Sequence, residues 1–205
     1  MSYDYPRLFA KIVATVSDDL SITRRMHNLI SECEAQQPNP DWARIREIDF
    51  EADAGQIESW FPRSFSRVMF SAPPKGLWVG LVNLADKRGD TIAEAYVGAS
   101  LSFQPLSNDW ARSIESVTDK NYLGSDVLRK IYQVAYESDD GLENAAEHPL
   151  VLAYGAIASR IALASTMPIE LSAMQGAAVG FDSGDYLHLG EFSNGRFISQ
   201  VRIGD

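Results

Sequence analysis

Between residues 76 and 103 the chain carries two runs of β-branched, aromatic and aliphatic residues, 76–84 and 92–103, around a charged segment containing Gly89. That pattern predicts two antiparallel strands joined by a turn. In the first run both alternating sets are apolar, Trp78, Val82 and Leu84 against Leu77, Val79 and Leu81. A strand apolar on both faces belongs in the middle of a sheet. Gly80, Ala95, Gly98 and Ala99 carry little or no side chain, so another backbone can approach there.

Ahead of this pair, residues 6–36 show helical spacing: Leu8, Ile12 and Val16 share a stripe that Ile22, Met26, Leu29 and Ile30 continue. Ser17-Asp18-Asp19 reads as a cap between two helices, because short polar side chains satisfy free helix N–H groups. Pro38 and Pro40 end the helical part. Residues 44–50 alternate imperfectly and are expected to form an edge strand, and 51–61 a short helix stopped by Pro62. Residues 105–123 are irregular and polar, with Asp109-Trp110 in their middle. Ser125 is positioned to cap a helix carrying Val127, Leu128, Ile131, Val134 and Ala135, and Gly141 suits a left-handed C-terminal residue. A helix then starts either at a capping box, Asn144 to Glu147, with Pro149 inside it, or at His148 with Pro149 in the first position. Residues 150–164, apolar nearly all round and rich in Ala and Gly, should be the most buried helix and should cover the sheet near Gly80 and Gly98. Runs at 177–182, 186–192 and 196–203, separated by Ser183-Gly184 and Asn194-Gly195, form a meander. The expected architecture is α+β: one globular domain over 1–205, with a central, largely antiparallel sheet and helices packed against it.

Charge adds direction to this picture. With 28 acidic and 18 basic residues the formal charge is −10, a surface that repels nucleic acid and anionic membrane and attracts basic partners. A single cysteine, Cys33, excludes an internal disulfide framework and a cysteine zinc site. The N-terminus lacks the basic-then-apolar pattern of a leader. The most apolar window, 149–164, contains Arg160 and falls short of the roughly 20 residues of a bilayer span. A cytoplasmic location is the expectation.

Chemistry is sparse. His27, His148 and His188 lie far apart without ligand spacing, and no nucleophile elbow, zinc or phosphate-loop motif occurs. Asp182, Asp185 and Glu191 near a glycine turn are the metal candidates, and the turn preference for Asp and Gly is the favoured explanation of them. No catalytic residues and no cofactor are assigned. Two regions combine acids with an aromatic, as a protein-contact surface requires. One is the 105–123 loop, with Asp109, Trp110, Glu115, Asp119 and Tyr122. The other is the 136–147 connection, with Tyr136, Glu137, Asp139, Asp140, Glu143 and Glu147. The loop is the preferred docking region, the alternative being that Trp110 pins the loop to the body.

Trp60 leading through a basic-aromatic tract and prolines into 76–83, the strand end at 96–103, Asp109-Trp110-Ala111, Ser125-x-Val-Leu-x-x-Ile-Tyr132 and the segment 179–185 follow one another in a telling order. Over about residues 60–192 this resembles bacterial immunity proteins encoded beside polymorphic or contact-dependent toxins. The resemblance implies a non-enzymatic, cytosolic protein that binds and neutralises one cognate toxin, a basic one given the −10 charge. The other expectation is a regulatory domain binding a small molecule or metal between the helices and the sheet, with the 182–191 acids at its rim.

Overall fold

A computed structural model describes residues 3–65, 70–85, 91–105, 107, 109–112, 114–115, 122–138, 141–164, 172–182 and 184–204. Six α-helices occur among them: α1 (Tyr5–Ser17), α2 (Ile22–Gln36), α3 (Trp42–Arg46), α4 (Ala54–Phe65), α5 (Asp126–Glu137) and α6 (Asn144–Ala164). The strands are β1 (Gly76–Ala85), β2 (Thr91–Ser100), β3 (Ile114–Glu115), β4 (Tyr122–Gly124), β5 (Gly176–Phe181), β6 (Tyr186–Ser193) and β7 (Arg196–Ile203). They form one sheet in the order β3-β2-β1-β5-β6-β7, with β4 also paired to β2. Every pairing is antiparallel except β1 with β5, which the β2, α5 and α6 segments connect. The fold is α+β, with helices packed against a mostly antiparallel sheet.

The pleat divides the sheet's side chains into two environments. Leu77, Val79 and Leu81 of β1, the Ala93, Ala95, Val97 and Ala99 row of β2, and Leu187 and Leu189 of β6 join the main core with the helices. α6 is the axis of that core. It touches α1, α2, α4 and α5 as well as β1, β5, β6 and β7, and every residue from Leu150 to Ser159 is buried. Gly155 permits the close seat, since a Cβ there would lie 2.5 Å from Leu81. The opposite face carries a smaller aromatic cluster of Trp78, Trp110, Ala178 and Tyr186, with Tyr96, Phe103 and Ile114 packed on it.

The helix therefore does not cover Gly80 and Gly98. Both point to the second face, where the Tyr96 ring and Ile114 fill the space above them. Other expectations change for equally local reasons. Residues 44–50 are not a strand: Trp42 and Ile45 bury at helical spacing in α3, and the Trp42 indole donates to Gln37 O at 2.8 Å. Charged residues at the exposed positions satisfied either period. Helix α4 continues past Pro62 and delivers Phe65 to the core, so burial overrides the local break. The cap of α2 is Ser21, whose Oγ accepts from Arg24 N at 3.4 Å, while Asp18 accepts from Leu20 N at 3.0 Å in the preceding turn. Gly141 is not left-handed; Glu143 takes that conformation with φ 43°. Ser125 caps α5, and Asn194-Gly195 (φ 52° and 73°) makes the tight hairpin between β6 and β7, as their spacing predicts.

Candidate functional site

Helix α6 begins at Asn144 and runs through Pro149, and this start builds the site. Proline has no N–H to give to the carbonyl one turn back, so Ala145 O needs another donor. The Tyr3 hydroxyl supplies it at 2.7 Å. That bond draws the segment before α1 onto the first turns of α6. The turn between β5 and β6 closes the third side.

The resulting cleft holds about 250 Å³ and is lined by Tyr3, Tyr5, Glu147, His148, Phe181 and Asp185, with Asn144 at its edge. His148 lies 3.1 Å through Nε2 from Asp185 Oδ2. An ionised carboxylate only accepts, so the ring donates from Nε2. The imidazole stacks on Phe181 at 6.0 Å and 26°, and meets Phe9 edge-on at 5.5 Å. Its Nδ1 is buried without a hydrogen-bond partner among the described residues. Glu147 accepts a short hydrogen bond from the Tyr136 hydroxyl, which also faces Asn144 Oδ1 at 3.5 Å. Burial, and then the Glu147 carboxylate, push the Tyr136 phenol well above its ordinary range. Tyr5 (52 % exposed) and Tyr136 (48 %) thus flank a recess whose charged lining, apart from the imidazole, is carboxylate.

Against this geometry the two acid-aromatic regions separate. Trp110 is 3 % exposed, its ring 5.3 Å from Phe103, so it pins its loop and is no surface anchor. Asp109 opens a 3-10 turn (Asp109–Arg112) and is exposed, Glu115 pairs through its backbone with Ala99, and Tyr122 is 46 % exposed beside Tyr96. Asp119, Asp139 and Asp140 lie outside the described residues. Glu137 and Glu143 are exposed at the α5–α6 connection; Glu143 directly precedes Asn144 at the cleft, whereas Glu137 lines a separate recess with Arg44, Glu47 and Lys130. The preferred region thereby shifts from the loop to the 136–147 connection.

The metal candidates do not converge. Asp182 accepts from Tyr96 OH at 2.8 Å, Asp185 meets His148, and Glu191 lies 3.6 Å from Arg202 Nη2. Among the described residues no group of three His, Cys, Asp or Glu side chains is placed to hold a metal ion. Cys33 is fully buried, and burial pushes its thiol up to about 12. His27 Nε2 faces Arg46 O at 3.2 Å. Sequence reading missed the His148–Asp185 pair: its residues are 37 positions apart, and the one available signal was Pro149 beside an unusually polar helix start. No family model, curated protein or solved structure matches the chain.

Proposed function

We propose that the protein acts by stoichiometric binding, as an immunity-type protein that holds a basic bacterial toxin against the acidic-aromatic surface around the cleft. The lining of the cleft carries this reading. Tyr3, Tyr5 and Phe181 line it with ring surface, and Glu147 and Asp185 with carboxylates, a combination that suits a Lys or Arg side chain entering head first with its stem along the rings. Exposed cation–aromatic contacts contribute about 0.5–1 kcal/mol, and more once the partner excludes water. Glu143 extends the negative surface beyond the mouth, and the −10 charge speeds encounter with a basic partner. The resemblance to immunity proteins supplies the class of partner. The reading requires neither a nucleophile nor a cofactor.

The test is co-expression with the product of the adjacent reading frame. Restored growth and co-purification of a one-to-one complex are expected. A toxin that still kills and does not co-purify would contradict the proposal.

A further inference from the structure

A second cleft, of about 270 Å³, lies between the α1–α2 turn, the last turns of α6 and β7; its walls include Asp18, Asp19, Arg25, Arg160, Phe197 and Ser199. Two cations in one recess need an explanation in a protein of charge −10. Part of it is structural: Arg25 Nη1 donates to Asp18 O at 3.0 Å and Arg160 Nη1 donates to Val16 O, both at the negative end of α1. That leaves much of each guanidinium unused. Arg25 is 8 % exposed; the Nε–H groups of both arginines are buried out of reach of solvent and without a partner among the described residues, so an anion in the cleft would meet the remaining Nη–H groups.

Direct counter-charge is loose, although Asp18, Glu51 and Asp19 all act on Arg25 through space. Among the described residues, the carboxylate nearest Arg160 is Asp19, 4.0 Å away on a wholly exposed side chain, and none lies within 4.0 Å of Arg25. Asp18 turns one oxygen to its own backbone, at Leu20 N. Burial, and then the charge of Arg160, lower the pKa of Arg25, so the two cations repel at close quarters.

We propose that this cleft is an oxyanion site in which a phosphate group bridges the two guanidiniums. Each guanidinium presents a planar fork of N–H donors that matches tetrahedral phosphate, and Ser199 adds a hydroxyl to the wall. Asp19 then acts as a weak internal competitor at the rim. The site is separate from the aromatic cleft and does not depend on its role.

Calorimetric titration with inorganic phosphate, at ionic strength fixed with sodium chloride, tests it. A saturable isotherm and a rise in Tm are expected, with acetate at least tenfold weaker because one carboxylate does not span both forks. Arg160→Gln should abolish the heat. Asp19→Asn, at an exposed position where folding is not at risk, should tighten phosphate binding several-fold. Phosphate indistinguishable from chloride, acetate equal to phosphate, or an affinity unmoved or weakened by Asp19→Asn would each overturn the proposal.

Discussion

At the scale of single residues, the most consequential side chain is Asp53, wholly buried before α4. Its carboxylate accepts from Ser125 Oγ, Asp126 N at 3.1 Å, Val127 N at 3.4 Å and Tyr154 OH at 3.0 Å. It therefore caps α5 from another element and ties α4, α5 and α6 together. Asp53→Ala strips these donors of their shared acceptor and should cost about 3 kcal/mol or more in urea denaturation; a loss under about 1 kcal/mol would show the network to be dispensable. His188 gives a pH signature. It is 3 % exposed, and burial, followed by the neighbouring Arg202 charge, lowers its pKa to about 4. Well above pH 6.5 the ring is neutral in both states and contributes no slope. As pH falls from there toward 4, the unfolded chain takes the proton and the native state does not, so stability drops by up to about 3 kcal/mol. His188→Gln should flatten the upper part of that fall, between pH 6.5 and 5, where ordinary carboxylates barely titrate. An unchanged slope would mean that the ring protonates in place.

At the scale of elements, α6 depends on its repair at Pro149. Tyr3→Phe leaves Ala145 O without its donor and should lower stability by about 1 kcal/mol. In a Pro149→Ala background the restored amide N–H fills that role, so the same change should cost little. Equal losses in both backgrounds would sever the link between the tyrosine and the proline. This contrast marks what pattern reveals. The antiparallel pairing within 76–103, whose Gly89 turn lies outside the described residues, the Asn194-Gly195 turn and the buried course of α6 were legible because period and turn chemistry act within a few residues. Helix α3 and the passage of α4 beyond Pro62 were not, because Trp42 and Phe65 are placed by what they pack against. The face covered by α6 also escaped reading: Gly80 and Leu81 are adjacent in sequence, and only the pairing with β2 and β5 decides which of them meets a helix.

At the scale of the whole molecule, charge and aromatic surface are distributed unevenly. One cleft gathers carboxylates and tyrosine rings where α1, α6 and the β5–β6 turn meet, while another gathers two arginines at the far turn of α1. The acids of the 136–147 connection were visible in the sequence, but Tyr5, His148 and Asp185 join them only through the fold. Trp110 shows the reverse: an aromatic in a polar segment that the fold takes inside. If the protein acts as proposed, partner binding uses the tyrosine-carboxylate cleft. The most direct test of that claim is the Kd of the co-purified complex for Tyr5→Ala, Glu143→Lys and Asp185→Lys, set beside Tyr122→Ala on the second face of the sheet. Each cleft variant should weaken binding tenfold or more, about 1.4 kcal/mol, with Tm unchanged for Tyr5→Ala and Glu143→Lys and lowered for Asp185→Lys, which removes the partner of His148, while Tyr122→Ala leaves Kd as it was. Binding that tolerates all three cleft changes and is lost on Tyr122→Ala would contradict the claim.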